Sequence, residues 1–275
     1  MVTLQELREK HQKLIQEQEG SGKEFTNNFI KFENGENLIR ILPGRNEPLE
    51  FYVESAIHRV TNPDGKWSNY TCRRVHNEDC PLCVFTQELW DRHKNLNLGK
   101  DAEGKNIKSP FGTMAGKLKS KSRYYIRAVS RALQEKNEDP VKFIAMGSEL
   151  FTQVMAYLTD PDYMEEDDPD NSTIISLDRG NDFIVKLSQN AGGFNQFEGR
   201  AKNKKTKAGT PAQIAEWMEN ALDLNSLVKI GEYEEGKKIV AMLEAQLNSG
   251  GEKVEAKKPT TEKENEVKFN KEMKV

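Results

Sequence analysis

The sequence predicts a mainly β chain with inserted helices, an α+β fold class, and three observations support this prediction. Short apolar and aromatic runs recur between turn pairs such as Asn34-Gly35 and Pro43-Gly44, which is typical of antiparallel strands. These runs do not alternate with helices in a regular βαβ rhythm, so a doubly wound parallel sheet is disfavoured. Apolar residues at helical spacing occur only at separate places along the chain.

Four segments follow one another along the chain. Residues 1–22 are a predicted N-terminal arm, helical over 3–18, because Thr3 and Glu6 form a capping box before apolar residues at helical spacing. Residues 23–209 are the predicted core and 210–248 the C-terminal helices. Residues 249–275 are rich in Lys and Glu with almost no large apolar side chain, so this tail is predicted to be disordered.

Within these segments the pattern predicts individual elements. Strands are predicted at 30–32 and 38–42, joined as a hairpin, and at 50–60, 123–130, 141–146, 173–177 and 182–188. Helices are predicted at 84–93, at 148–158, after Thr210-Pro211, and over 226–247. Thr210 and Gln213 are placed to cap the third of these helices reciprocally.

Charge is distributed unevenly along the 275 residues, although the formal net charge is only −3. Residues 105–131 contain eight basic side chains and no acid, whereas residues 160–170 contain seven acids and no base. A second basic island runs over 200–207. Such polarity favours a charged partner. No apolar run is long enough to cross a bilayer and no signal peptide is visible, so we expect a soluble intracellular protein.

Three cysteines lie within twelve residues and predict a metal site. Cys80 and Cys83 form a C-x₂-C knuckle, and Cys72 supplies a third thiolate. The fourth ligand is either His58, at the end of a predicted strand, or His76, inside the loop. Spacing alone favours His76 because it needs no long loop closure. Either histidine completes a closed Cys₃His set, the arrangement of one structural Zn²⁺.

No catalytic residue is predicted. The sequence around His76, Glu78 and Cys80 resembles a zinc-deaminase signature, but only one residue separates Glu78 from Cys80, which leaves no room for the helix of that motif. The glycine-rich residues 99–106 lack the Ser or Thr that a P-loop places after its lysine.

Two stretches combine aromatic and basic residues as a binder of single-stranded nucleic acid requires, since unpaired bases stack on aromatic rings while cations follow the phosphates. The first is 118–127, where Tyr124 and Tyr125 point to opposite faces of a predicted strand. The second is 192–205. The predicted DNA-binding residues are Lys117, Lys119, Lys121, Arg123, Tyr124, Tyr125, Arg127, Phe194, Phe197, Arg200 and Lys202.

The sequence resembles the zinc-containing, helix-destabilising single-stranded DNA-binding proteins of T4-type phages. The likeness runs from about residue 35 to 205, in GENLIRILPGRN, the His58-to-Cys83 segment with its GKW turn, LKSKSRYY, and NDFIVKLSQNAGGFNQF. It implies that His58 is the ligand, with Cys72, Cys80 and Cys83. It also implies an OB-fold-type barrel with a zinc subdomain, and sequence-independent coating of single-stranded DNA in phage replication, recombination and repair, in the cytoplasm of the infected bacterium.

The resemblance further implies partners among phage replication proteins (polymerase, helicase loader and recombinase) and self-association along DNA. Two features differ from the family. Arg8, Lys10 and Lys13 are spread along the arm instead of forming a compact basic motif. Residues 252–275 hold seven lysines and six glutamates where the family has an acidic tail. The alternative function is a zinc-ribbon module that binds protein or structured RNA.

Overall fold

The computed structural model describes residues 28–166, 172–221 and 223–249. The predicted arm helix at 3–18, most of the predicted tail at 249–275 and part of the acidic stretch lie outside the described residues. None of the helices within the described ranges has the length and apolar character needed to span a membrane.

The described residues form seven strands, six α-helices and three short 3₁₀ helices. The strands are β1 Gly35–Ile41, β2 Tyr52–Thr61, β3 Trp67–Thr71, β4 Lys121–Ser130, β5 Val141–Met146, β6 Gly180–Gln189 and β7 Asn195–Thr206. The α-helices are α1 Pro81–Asn95, α2 Pro110–Leu118, α3 Arg131–Glu135, α4 Ser148–Leu158, α5 Pro211–Glu219 and α6 Tyr233–Ser249. The 3₁₀ helices are Arg73–His76, Pro161–Tyr163 and Leu224–Leu227.

All seven strands belong to one antiparallel sheet with the order β3-β2-β4-β1-β6-β7. The long strand β4 also pairs with β5 over residues that overlap both its β2 and its β1 pairing, so β2 and β1 lie end to end along its other edge. Within the described ranges β3 and β7 do not pair, and the sheet is open. The mixed sheet-and-helix class is confirmed, whereas a closed OB-fold-type barrel is not shown.

Two apolar clusters divide the interior. The main cluster packs α4 against the sheet and includes Phe151 and Val154 of the helix together with Ile126 and Phe183 of the strands. The second lies under α1, α2 and α6 and includes Cys72 and Cys80. A separate packed body therefore surrounds the three cysteines, at the end of the sheet that β2 and β3 form.

Several predicted elements are confirmed. Strand β5 and helix α4 have the predicted bounds, and β2, β4, β6 and α1 differ from the prediction only at their ends. The predicted capping box is also present: the Thr210 hydroxyl accepts from the Gln213 backbone N–H at 3.3 Å, and Gln213 Oε1 accepts from the Thr210 N–H at 3.0 Å. The last predicted helix is split, because residues 224–227 form a 3₁₀ turn before α6 begins.

Two predicted strands are wrong. The 30–32 segment does not form a hairpin with β1, whose residues Gly35–Ile39 pair with β6. Phe29 instead bridges Phe143 in parallel, and the Ile30 N–H donates to the Phe143 carbonyl. Residues 173–177 are not a strand: 173–175 form a turn, and the apolar character of the segment reflects burial of Ile174 and Ile175 in the main cluster. Helix α2 was not predicted, although Ser109 caps it and Pro110 begins it.

A buried ion-pair network joins β1 to β6. Asp182 Oδ1 lies 2.9 Å from Arg40 Nη2 and 2.7 Å from Arg131 Nη2. The Arg40 guanidinium is fully buried and also donates to the carbonyls of Ser176, Gly180 and Thr206. Burial lowers the pKa of Arg40 to about 10, against the opposing effect of Asp182, so the side chain stays charged at neutral pH.

We expect Asp182→Asn to lower the free energy of unfolding by about 3–5 kcal/mol, because it leaves the buried charge of Arg40 uncompensated. Urea unfolding followed by circular dichroism measures this loss. The control is Glu198→Gln, whose exposed pair with Lys186 spans 3.9 Å and should contribute less than about 0.5 kcal/mol. A loss no larger than that of the control would contradict the assigned role.

Candidate metal centre and nucleic-acid interface

The candidate metal ligands come from three elements that meet at one end of the sheet. His58 lies on β2, Cys72 directly follows β3, and Cys80 and Cys83 lie at the start of α1. Pairing of β2 with β3 places His58 opposite Tyr70, and the Cys72 N–H donates to the Ala56 carbonyl at 2.7 Å. The ligand atoms of all four residues lie within 4.8 Å of one another.

These distances fit a small tetrahedral ion. His58 Nε2 lies 3.5 Å from Cys80 Sγ and 3.4 Å from Cys83 Sγ, and Cys72 Sγ lies 3.5 Å from Cys83 Sγ. A tetrahedral Zn²⁺ with metal–sulfur bonds of about 2.3 Å has S···N edges of about 3.6 Å and S···S edges of about 3.8 Å. The four residues are therefore compatible with one structural metal.

The ring nitrogen of His58 that does not face the thiols, Nδ1, forms a hydrogen bond within the protein. This Nδ1 lies 2.7 Å from the carbonyl oxygen of Leu118, the last residue of α2. That carbonyl can only accept, so Nδ1 donates to it and Nε2 is the nitrogen that faces the thiols. A metal-binding histidine is oriented in this way by its outer hydrogen bond.

The same proximity sets the protonation of the ligands when no metal is bound. Burial acts to lower the pKa of His58, but hydrogen bonds to Cys72, Cys80 and the Leu118 carbonyl outweigh it and raise the pKa to about 9. Hydrogen bonds from Cys72 and Cys83 lower the pKa of Cys80, and His58 adds to that effect. The group thus holds an imidazolium beside a thiolate, a charge distribution that a cation can replace.

His76 does not belong to this cluster. It ends the 3₁₀ helix Arg73–His76, and its Nε2 is buried without a hydrogen-bond partner among the described residues. The preference for His76 that spacing alone suggested is therefore wrong, and the ligand set implied by the resemblance is the one that the fold brings together.

The first aromatic and basic stretch lies on β4 and alternates between two faces of the sheet. Tyr124 packs on the main cluster with its ring stacked on Phe151, at a centroid distance of 3.9 Å and an angle of 5°. Lys121, Arg123 and Tyr125 lie on the opposite face. Tyr125 is half-buried beside Phe29 at 6.3 Å, and this burial raises its pKa.

Strands β2 and β3 extend this face. Ile57 pairs with Lys121 in the sheet, and Arg59 follows on the same side, with its guanidinium carbon 3.9 Å from the centroid of the Trp67 ring. Trp67 is 55% exposed. We call the set of Arg59, Trp67, Lys121, Arg123 and Tyr125 the basic sheet face. Among the described residues, none of its three cations forms an ion pair.

Sequence reasoning missed Arg59 and Trp67 as interface residues. Both lie in the segment that was interpreted only as a metal site. The sequence did contain a signal for them. Trp67 follows the turn at Gly65, and the β2–β3 hairpin places it opposite Thr61, two residues along β2 from Arg59.

The other predicted residues lie in several places. Lys117 and Lys119 are exposed at the end of α2 and just after it, next to the start of β4. Phe194 is 72% exposed in the β6–β7 turn, whereas Phe197 is half-buried, 6.0 Å from Phe32 and packed on the main cluster. Arg200 and Lys202 are exposed on β7, and Arg200 pairs with Glu36 at 2.8 Å.

Arg127 is the predicted residue whose position differs most from expectation. It is only 3% exposed, and its Nη2 donates to the Pro43 carbonyl at 2.9 Å. Arg127 is therefore not part of the exposed basic surface. The two predicted basic stretches are also apart in the sheet, because β1 and β6 lie between β4 and β7.

No curated protein matches this chain in sequence. The family model described as gp32 DNA binding protein like matches residues 33–245, most of the chain. That range contains the four candidate metal ligands and the whole basic sheet face. The resemblance found in the sequence is thereby confirmed, and the chain belongs to the gp32 DNA binding protein like family, the T4-type single-stranded DNA-binding proteins.

Proposed function

We propose that this protein coats single-stranded DNA without sequence preference during phage DNA replication, recombination and repair, in the cytoplasm of the infected bacterium. The basic sheet face is the observation that carries the proposal. It presents unpaired cations beside an exposed indole and a half-buried phenol, and such surfaces hold the backbone by charge and the bases by stacking.

In this proposal Lys121, Arg123 and Arg59 contact phosphates, with Lys117 and Lys119 extending the path toward α2. Trp67 and Tyr125 stack on bases. Phe194, in its exposed turn, is a third stacking residue. Tyr124 and Phe197 have a supporting role, because one side of each ring packs on the protein.

The metal is Zn²⁺ in this proposal, and its role is structural. Three thiolates and one imidazole form a closed set with no open position for a substrate. The ion would fasten the β2–β3 hairpin to α1, and through the Leu118 carbonyl its ligand His58 also contacts α2. The protein would do no chemistry.

The proposed mechanism is mass action. A protein that binds only unpaired strands lowers their free energy relative to the duplex, so hairpins melt without ATP. Recruitment of the phage polymerase, helicase loader or recombinase, and self-association along DNA, stay predictions from the resemblance.

A titration with labelled oligonucleotides tests the proposal. Fluorescence anisotropy with a dT oligomer, a duplex of equal length and a structured RNA should show much tighter binding to the dT oligomer. Equal or tighter binding to the structured RNA would instead support the zinc-ribbon alternative and overturn the proposal.

We expect Phe194→Ala to weaken binding to a dT oligomer by about 1–3 kcal/mol, since it removes one stacking platform. The melting temperature should not change, because the ring is 72% exposed. Phe197→Ala is the matched variant and should lower the melting temperature instead, because its ring packs on the main cluster. An unchanged affinity in Phe194→Ala would remove this residue from the interface.

A further inference from the structure

A groove with an apolar floor lies between α2 and α6, next to the last residues of β2. Its volume is about 490 Å³. Leu118 and Leu243 form the floor, and each is at most 3% exposed. Met114 and Leu247 line the sides and are only partly buried. The groove is therefore aliphatic, and part of its apolar surface is accessible from outside.

The two helices present their apolar residues to the groove at helical spacing. Pro110, Met114 and Leu118 occur at every fourth residue of α2, and Leu243 and Leu247 are four apart on α6. Residues at this spacing lie one above another on the same face of a helix. A groove between two such faces accepts the side-chain ridge of a third helix.

The rim of this groove is cationic. Arg59, Lys108 and Lys117 line it, and all three are exposed. Among the described residues none of these three cations forms an ion pair, and no lining residue is acidic. Glu244 of α6 lies outside the lining and pairs with Arg92 of α1 at 3.6 Å. A complementary partner therefore carries acidic residues beside its apolar face.

Hydrogen bonds hold the walls of the groove in place without a partner. The Leu118 carbonyl accepts from His58 Nδ1 at 2.7 Å, which fastens the end of α2 to β2. Gln246 Nε2 donates to the Thr61 carbonyl at 3.4 Å, which joins α6 to the end of the same strand. A preformed groove lowers the cost of ordering on binding.

The groove differs in chemistry from the basic sheet face, although both include Arg59. The sheet face offers the rings of Trp67 and Tyr125, and unpaired bases stack on such rings. None of the described residues that line the groove is aromatic. Aliphatic grooves of this kind hold the leucine-type side chains of amphipathic helices. These observations favour a protein helix over a DNA base as the occupant.

We propose that this groove binds an acidic amphipathic helix of a partner protein, with its apolar side chains in the groove and its carboxylates at the cationic rim. The chain's own tail follows α6 directly, but residues 252–275 hold seven lysines and six glutamates and so do not complement that rim. Arg59 and Lys117 are also proposed phosphate contacts, so the helix and a bound DNA strand compete for them. The inference goes beyond the proposed function because it assigns a protein partner.

A synthetic peptide tests the proposal. It has about fifteen residues, with leucines at positions i, i+3, i+4 and i+7 and glutamates beside them. Fluorescence anisotropy of the labelled peptide with the full chain should show saturable binding. A scrambled peptide of the same composition, and one with lysine in place of glutamate, should bind at least about tenfold more weakly. Saturating dT oligomer should weaken binding of the first peptide.

Lys108→Glu should weaken peptide binding about tenfold, because it places an acid at the rim. Lys108 is exposed and is not a proposed phosphate contact, so this variant should keep its fold. Lys100→Glu, exposed in the same loop and outside the groove, is the matched control and should bind the peptide normally. Binding of a dT oligomer should change to the same small extent in both variants.

Met114→Ala tests the apolar contact and should also weaken peptide binding about tenfold. Leu96→Ala, at a residue 48% exposed and outside the groove, is its control and should have the wild-type affinity. Circular dichroism of both variants checks that the fold is kept. If Met114→Ala weakened binding of the dT oligomer as much as that of the peptide, the groove would hold DNA and the proposal would be overturned.

Absence of saturable binding, equal binding of the scrambled peptide, or wild-type affinity in Lys108→Glu would also overturn the proposal. Leu7→Ser in the arm and Phe269→Ser in the tail test the chain's own ends as occupants. Peptide binding that is about tenfold tighter in either variant would assign the groove to that end and not to a partner protein. A protein that binds the dT oligomer but not the peptide would overturn only this inference, whereas the reverse result would overturn only the proposed function.

Discussion

Cys80→Ser and His58→Ala should each abolish binding of the proposed Zn²⁺ and lower the melting temperature of the protein substantially. A ligand that binds only the folded chain at a thousandfold its dissociation constant contributes about 4 kcal/mol of stability, and structural zinc sites commonly exceed that. The loss should concentrate in the second apolar cluster, because Cys72 and Cys80 are part of its packing.

Metal content of the purified variants and their thermal unfolding are the two measurements. His76→Ala is the matched control, since its imidazole lies outside the cluster and should leave the metal content at one ion per chain. Full metal retention in His58→Ala with loss in His76→Ala would reverse the assignment of the ligand.

Binding to single-stranded DNA should weaken by about three thousandfold when the salt concentration rises tenfold. Each neutralised phosphate contributes a slope of about −0.7 on logarithmic axes, and five contacts therefore give about −3.5. The five proposed cations are Arg59, Lys117, Lys119, Lys121 and Arg123.

Single substitutions make this prediction specific. Lys121→Gln should reduce the slope by about 0.7, while Lys237→Gln, on the exposed side of α6 and paired with Glu234, should leave it unchanged. A flat salt dependence of the wild-type protein would exclude phosphate contacts as the main source of affinity.

Local sequence patterns were sufficient to predict the bounds of strands and helices whose hydrophobic periodicity is regular and stops at a recognisable residue. Strand β5 and helix α4 were predicted with the correct bounds because strong apolar patterns change at residue 147, a glycine. The Cys₃His composition of the metal site was also predictable from local sequence, because three of its four ligands lie within twelve residues.

Strand pairing between distant parts of the chain determined which histidine joins the cysteines and which predicted interface residues are exposed, and local sequence patterns do not show such pairing. Loop spacing favoured His76, but the pairing of β2 with β3 brings His58 to the cysteines over a distance in sequence that spacing cannot evaluate. Both Arg127 and Phe197 were predicted to be interface residues because of their basic neighbours. Arg127 shares the face of Lys121 and Arg123, but the loop after β1 covers it and its Nη2 donates to the Pro43 carbonyl, whereas Phe197 packs beside Phe32. Trp67 became an interface residue only through its cross-strand contact with Arg59.

The position of His58 on β2 has a consequence for the surface on the other side of that strand. His58 faces the metal ligands while its neighbour Arg59 faces outward, and a slip of the hairpin by one residue would exchange the two sides. A metal held by His58 and Cys72 forbids that slip, because each ligand contacts the ion only in the observed alignment of β2 with β3. The ion would therefore fix the register of β2 and β3. In that register Arg59 and Trp67 lie on the outer face, although neither residue contacts the ion.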